Sequence, residues 1–362
     1  MTVCGAGFSL WGFVHAITKS HRLKPAPLMR FIGVVVVVTY DEIRRRYWRK
    51  AAQLAVFCAV LAGFGARVAQ AAPYYVTVAG LGGEPDYEQR FTALAKDLDK
   101  LFKAATSDAH VYTFTGSDAT KARLTETLGQ IAREAKPDDE FTLILIGHGS
   151  YDGEVYKFNL PGPDISGEDV ALLCDRIPAK RQLIVNTTSA SGGSIGALQK
   201  AGRIVIAATK TGTEKNATVF ARYWVDALRD GSADVDKNES ISALEAFQFA
   251  DRKTAAFYES EKRLATEHPV IEDTGKKEAV RTTSAENGEG LLATNFILLR
   301  LGAAQKAAND PAKRVLLDKK EELERKIDLL KYQKAAMNTD DYKKQLSDAL
   351  LELARVQGDL DK

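Results

Sequence analysis

The chain has 362 residues, 45% of them hydrophobic, and a formal net charge of +2. This length and apolar fraction allow one substantial core with appendages. A net charge this small argues against a nucleic-acid partner, because nucleic-acid-binding proteins carry a marked positive excess.

The N-terminal region has the order of a secretory signal peptide. Five basic residues between Arg44 and Lys50 precede an apolar run over residues 51–66, and the small-residue motif at 69–71 follows. This order predicts export to the periplasm or the medium, with cleavage after Ala71. The alternative is an uncleaved membrane anchor, but the apolar run is shorter than the roughly 20 residues of a spanning helix. Cleavage would leave Cys174 as the single cysteine, so the mature chain could form no intramolecular disulfide.

From residue 73 onward, apolar β-rich segments alternate with segments of helical periodicity. The predicted strands are residues 73–80, 110–115, 141–146, 182–185 and 203–209. The predicted helices are residues 87–104, 118–135, 168–176, 195–200 and 220–229. This alternation predicts an α/β fold with a mostly parallel sheet, flanked by helices and joined by right-handed crossovers.

The C-terminal region has a different composition. From residue 313 it is rich in Lys, Glu, Leu and Ala, and its apolar residues lie at helical spacing on both sides of a break at residues 338–339. The pattern predicts an antiparallel helical hairpin of coiled-coil type, with Thr339 as an N-cap. Such a hairpin offers a surface for oligomer formation.

The sequence thus divides into four predicted regions. These are an N-terminal extension with a signal peptide (1–71), an α/β domain (72–230), an acidic loop with a connecting segment (231–312) and the hairpin (313–362).

Two polar segments follow neighbouring strands of the predicted sheet. Residues 147–153 (GHGSYDG) come after the strand FTLILI, and residues 186–193 (NTTSASGG) come after QLIV. In an open parallel sheet, ligands bind beyond the carboxyl ends of the strands. A lone histidine is more often structural, but here an imidazole, hydroxyls and glycine amides share one sheet edge. Together they form a candidate nucleophile–base site with an anion pocket.

The same residues carry a family resemblance. FTLILIGHGSYDGE, followed some forty residues on by LIVNTTSASGGS, resembles the clan of cysteine peptidases that includes caspases, legumain and gingipain. In that clan one strand ends in His-Gly and the next in a cysteine followed by x-Ser-Gly. The resemblance covers residues 74–228 and implies a caspase-like fold with His148 as the catalytic histidine. It also implies an oxyanion hole made by the amides of Gly149 and of the nucleophile residue.

The sequence departs from this clan at the nucleophile, where Ser189 stands in place of the cysteine. A thiol ionises with modest help, whereas a serine hydroxyl needs a base in direct hydrogen-bond contact. In the clan the histidine stands some way from the sulfur, an arrangement that does not suit serine. Cys174 lies on the preceding helix and is predicted to be a buried hydrophobe. Asp152 either orients His148 or, as is more common for this residue type, is a turn residue.

Three hypotheses of function follow. The favoured one is a degenerate peptidase homologue that binds a peptide or protein. The alternatives are an active hydrolase with Ser189 as nucleophile and His148 as base, and a scaffold that assembles through the hairpin.

A calcium-loop pattern follows the α/β domain. Oxygen-bearing side chains occupy positions 1, 3, 5, 7, 9 and 12 of an EF-hand loop, namely Asp234, Asp236, Asn238, Ser240, Ser242 and Glu245. Glu239 stands at position 6, where glycine normally makes the turn, and its strain there costs about 1 kcal/mol. The sequence therefore allows two interpretations, a Ca²⁺ site and a solvated acidic loop that caps the following helix.

Overall fold

The computed structural model describes residues 71–276 and 278–362. The basic cluster and apolar run of the predicted signal peptide lie outside the described residues. None of the described helices is long and apolar enough to cross a membrane.

As far as residue 229 the described chain alternates strands and helices, apart from four successive strands between residues 140 and 166. The strands are β1 (Pro73–Ala79), β2 (His110–Phe114), β3 (Glu140–Ile146), β4 (Gly149–Tyr151), β5 (Tyr156–Phe158), β6 (Ile165–Ser166), β7 (Arg181–Asn186), β8 (Arg203–Ala207), β9 (Ser240–Ser242), β10 (Val270–Glu272) and β11 (Ile297–Arg300). The helices are α1 (Pro85–Ala105), α2 (Lys121–Glu134), α3 (Gly167–Asp175), α4 (Ile195–Leu198), α5 (Phe220–Arg229), α6 (Ala243–Ser260), α7 (Leu291–Thr294), α8 (Gly302–Ala308), α9 (Pro311–Gln333) and α10 (Thr339–Leu360).

Six strands form the main sheet in the order β10-β8-β7-β3-β1-β2. All neighbours pair in parallel except β10, which runs antiparallel to β8 at the edge. The predicted fold class, a mostly parallel sheet flanked by helices and followed by a helical hairpin, is confirmed.

The sheet is buried on both faces because successive side chains of a strand point to opposite sides. In β3, Leu145 packs in a cluster with Leu128 of α2. Ile144 and Ile146 pack in the cluster on the other face, with Leu98 of α1. The uninterrupted apolar run of β3 therefore serves two core layers at once.

Several short strands were not predicted from the sequence. β4, β5 and β6 form a small antiparallel sheet beside the main one, and β9 pairs with β11. Each has only two to four residues, which is too few for a period-two pattern to be recognised.

The C-terminal hairpin, formed by α9 and α10, is held against the rest of the fold by polar contacts. Arg300 makes a two-pronged ion pair with Glu321 of α9 (2.7 and 2.9 Å), and the Tyr332 hydroxyl donates to the Glu289 carbonyl (2.8 Å). The predicted N-cap at Thr339 was wrong by one residue. The Asn338 side chain caps α10, because its Oδ1 accepts hydrogen bonds from the backbone amides of Asp340 and Asp341.

Candidate functional site

The two polar segments meet at the carboxyl ends of β3 and β7. These strands pair in parallel up to Leu145 and Asn186, and the Thr187 amide extends the pairing by donating to the Leu145 carbonyl (2.9 Å). The segment with His148 and the segment with Ser189 therefore leave the sheet side by side, as the sequence predicted.

Ser189 is buried at this junction, with 2% of its surface exposed. Its Oγ donates a hydrogen bond to the Gly149 carbonyl oxygen (3.0 Å) and accepts one from the Gly149 amide (3.1 Å). The hydroxyl is thus engaged with both backbone groups of a single residue. The Gly149 amide, which the family resemblance assigns to an oxyanion hole, is occupied by the side chain that would attack.

His148 belongs to a different set of contacts. Its ring lies edge-on to Tyr87 and Phe91 of α1, with ring centroids 4.7 and 5.2 Å away. Burial lowers the pKa of His148 below its usual value, and a backbone hydrogen bond at Gly82 opposes that shift. Among the hydrogen bonds of the described residues, none joins the His148 ring to the Ser189 hydroxyl. The two residues are brought to one edge, but not into the contact that base-assisted attack by serine requires.

The close approach of the two segments depends on Gly149. A methyl group at this position would lie 2.5 Å from the Ser189 carbonyl oxygen and 2.6 Å from the Tyr156 ring. Only a residue without a side chain allows the backbone of β4 to approach the turn after β7 this closely.

A buried polar network fixes the turn that carries Ser189. The Tyr156 hydroxyl shares a hydrogen bond with Thr188 Oγ1 (2.6 Å) and donates to Asn186 Oδ1 (3.2 Å). Asn186 in turn donates to Ser194 Oγ (3.0 Å). No local pattern predicts this role of Tyr156, because its partners lie some thirty residues further along the chain.

Tyr151 covers the surface beside this turn. A methyl group on Gly193 would lie 2.7 Å from its ring, and one on Gly212 would lie closer still. The Tyr151 hydroxyl donates to the Gly153 carbonyl (2.7 Å). The two glycines thus form a slot that the chain's own aromatic ring fills.

A further loop closes over the turn from the β8 side. The Ala190 amide donates to the Glu214 carbonyl (2.8 Å), and the Glu214 carboxylate contacts His268 Nδ1 at 2.5 Å. Ala190 has a positive φ of 56°, a strained conformation for a residue with a side chain. Glu214 and His268 were not predicted to belong to this region, since no local pattern links residues more than fifty positions apart.

Asp152 and Cys174 lie outside the site. Asp152 Oδ1 accepts the amides of Glu154 (2.9 Å) and Val155 (2.8 Å), so it is a turn residue and does not orient His148. Cys174 is fully buried, and that burial raises the pKa of its thiol to about 12. A thiol with this pKa stays protonated and unreactive.

The acidic loop folds with its carboxylates together. Single oxygen atoms of Asp234, Asp236 and Glu245 lie within 4.8 Å of one another. Burial raises the pKa of Asp236, and the Glu245 carboxylate raises it further. Asn238 and Ser240 follow in the same turn, where the Ser240 amide donates to Asn238 Oδ1 (2.8 Å). Ser242 caps α6, and its amide and hydroxyl both donate to Glu245 Oε2.

Glu239 takes the turn conformation expected of position 6, with φ of 65°. Its amide donates to Asp234 Oδ2 (3.2 Å). Its side chain has a task that glycine could not perform, because Oε2 accepts the amide of Ala304 in α8 (2.8 Å). The strain predicted for this residue is therefore offset by a helix-capping contact.

A buried carboxylate lies at the start of α5. Glu267 accepts the amides of Val219 (2.7 Å) and Phe220 (3.2 Å) and the hydroxyl of Tyr258 (3.0 Å). Burial raises the pKa of Glu267 to about 7. No local pattern in the sequence predicts a buried acid at this position.

This pKa predicts how stability depends on pH. Between pH 4.5 and about 7 the unfolded chain has lost the Glu267 proton while the folded chain retains it. Unfolding then releases a proton, so stability falls as pH rises through this window, by up to about 3 kcal/mol for this group. Urea unfolding at several pH values in this window should show a smaller fall in the free energy of unfolding for Glu267→Gln than for the wild type. The exposed Glu261→Gln should keep the wild-type slope, and equal slopes for all three proteins would contradict the assignment.

Comparisons with known proteins give similarity of fold only. No family model and no curated protein matches the chain. Among solved structures, the Drosophila initiator caspase Dronc is 11% identical (TM-score 0.39, covering 57% of this chain and 81% of that one). Caspase-1 from Spodoptera frugiperda is 12% identical (TM-score 0.39, 56% and 86%). A protein from Geobacter sulfurreducens is 11% identical (TM-score 0.37, 57% and 94%). At such low identities and TM-scores these structures assign no role to any residue of this chain.

Proposed function

We propose that this chain is an exported, caspase/legumain-like peptidase homologue that has lost hydrolytic activity and binds a peptide or protein. The observation that carries the proposal is the state of Ser189. Its hydroxyl is buried and bonded to both backbone groups of Gly149.

Attack by a serine requires a base that accepts its proton and free donors that stabilise the oxyanion. Among the described residues, no hydrogen bond joins His148 to the Ser189 hydroxyl, and one of the two predicted oxyanion donors is already engaged. The His148 ring packs against Tyr87 and Phe91, and the Gly149 amide already donates to Ser189. The slot beside the site is filled by Tyr151.

Binding is supported by the strand that begins at the site. β4 is the outer strand of the small sheet β4-β5-β6, and Ser150 at its centre is exposed. An edge strand presents backbone groups to which an extended peptide can add. In β4 both backbone groups of Gly149 are engaged by Ser189, so a peptide would pair with the strand beyond Gly149. The surface next to His148 therefore suits recognition of an extended segment.

The proposal predicts that the wild-type protein does not hydrolyse peptides. A peptide-substrate library should show no turnover above that of Ser189→Ala, and a fluorophosphonate probe should leave Ser189 unlabelled. Ser150→Ala is the matched control, because this neighbouring serine is exposed. Turnover that disappears in Ser189→Ala but persists in Ser150→Ala would overturn the proposal and identify a serine hydrolase.

The variant Ser189→Cys separates the two ways in which activity can be lost. A thiolate does not need a base in direct contact. If Ser189→Cys hydrolyses peptides and the wild type does not, the loss of the cysteine alone accounts for the lost activity. Binding of library peptides without turnover in either protein would show that the cleft serves recognition only.

A further inference from the structure

The acidic loop contains a buried oxygen atom that has no partner. Asp234 is 6% exposed, and its Oδ1 makes no hydrogen bond. Its carboxylate faces those of Asp236 and Glu245, with single oxygens of the three within 4.8 Å. Burying an unpaired carboxylate oxygen beside two further acids is costly unless a cation accompanies them.

The donors available there suit one class of cation. Asp234, Asp236, Asn238, Ser240 and Glu245 offer oxygen ligands, in the segment that leads into β9 and the start of α6. Calcium binds six to eight oxygens at flexible geometry, whereas Mg²⁺ demands a near-ideal octahedron and retains waters. This donor set therefore favours Ca²⁺ over Mg²⁺.

The loop is also tied to the C-terminal helices. The Glu239 carbonyl accepts the Leu301 amide (2.7 Å), and Lys320 Nζ of α9 donates to the Asn238 carbonyl (3.1 Å). A cavity of about 450 Å³ separates the loop from the hairpin, and it is lined by Asp236 and Glu245 on one side and by Glu324 of α9 on the other.

Carboxylates on both sides of this cavity repel one another. Arg325 and Lys331 of α9 also line the cavity. A cation held by the loop would offset the repulsion between the loop carboxylates and Glu324. If the bound ion made the loop more rigid, the contacts of Asn238 and Glu239 would pass this effect to α8 and α9.

We propose that Asp234, Asp236, Asn238, Ser240 and Glu245 bind a calcium ion, and that this ion strengthens the attachment of the α9–α10 hairpin by neutralising the carboxylates that face Glu324. The proposal is independent of the fate of Ser189. It concerns other residues of the chain and requires no peptide.

Calcium titration of the full chain by calorimetry tests the site. The wild type should bind one Ca²⁺ at least about tenfold more tightly than Mg²⁺. Asp236→Asn should weaken binding at least about tenfold, and so should Glu245→Gln. Because Glu245 also caps α6, Asp236→Asn is the variant that keeps the test valid if Glu245→Gln folds poorly. The exposed Glu259→Gln on the same helix should bind as the wild type does. No heat at millimolar calcium, or wild-type affinity in Asp236→Asn, would overturn the proposal.

Hydrogen exchange at about pH 8, where surface carboxyl groups are ionised, tests the link to the hairpin. Calcium should slow exchange in residues 311–360 severalfold in the wild type. Glu324→Gln removes the repulsion, so its hairpin should exchange more slowly than the wild type without calcium and respond less when calcium is added. The exposed Glu322→Gln on α9 should behave as the wild type. Calcium binding without any change in hairpin exchange would show a site that is not linked to the hairpin.

Discussion

Replacing Gly149 by alanine is expected to lower the free energy of unfolding by about 3 kcal/mol. The added methyl group would lie 2.5 Å from the Ser189 carbonyl oxygen. A backbone atom cannot move aside as the end of a flexible side chain can. The strain must therefore be relieved by separating β4 from the turn after β7, which also breaks the two hydrogen bonds between Gly149 and Ser189.

Chemical denaturation of Gly149→Ala and of a glycine control measures this effect. Gly196 lies in α4, and no atom lies within 4 Å of the position that an added methyl group would take, so Gly196→Ala should be neutral or stabilising by up to about 1 kcal/mol. Equal stability of the two variants would mean that the two segments do not meet as closely as the geometry requires.

The second large effect is expected at Arg203, which is 2% exposed at the start of β8. Its guanidinium donates to Gln182 Oε1 (2.9 Å), the Leu198 carbonyl (2.9 Å) and Asp175 Oδ1 (2.6 Å). Arg203→Met would leave Gln182 Oε1 and the Leu198 carbonyl without this donor, at a cost of about 3 kcal/mol; Asp175 is partly exposed and keeps Lys200. Thermal or urea unfolding measures the loss.

Lys200 provides a control that shares the same acid. Its ammonium group pairs with Asp175 Oδ1 at 3.1 Å, but half of its side chain is exposed. Lys200→Met should therefore cost less than about 1 kcal/mol, because water screens exposed pairs. If the two variants lost equal stability, the loss would come from the charge of Asp175 and not from the buried guanidinium.

Arg203 also bears on the candidate site, although it lies at the opposite ends of the strands. It joins the beginnings of β7 and β8, since Gln182 belongs to the first and Arg203 to the second. The register set there carries through to Asn186 and Ala207 at the site. A variant that folds despite losing this anchor should show altered exchange in the turns after both strands.

The sequence alone determined the layered fold and the place of the candidate site. The run FTLILI can satisfy both faces of a strand only inside a parallel sheet, and helical periodicity supplies the layers on either side. The position of His148 and Ser189 at one sheet edge follows from their places after two such strands. The hairpin could also be predicted, because the spacing of its apolar residues is a local property of each helix.

Only the tertiary structure decided what the site residues touch. Gly149 and Ser189 are forty residues apart, and no sequence pattern states that the hydroxyl meets the Gly149 backbone while the imidazole packs against α1. The burial of Asp234 likewise depends on how its loop is covered by the rest of the fold. The periodicity that predicts a helix or strand depends on residues close in sequence. Hydrogen-bond partners and burial depend on distant segments that meet only when the chain folds.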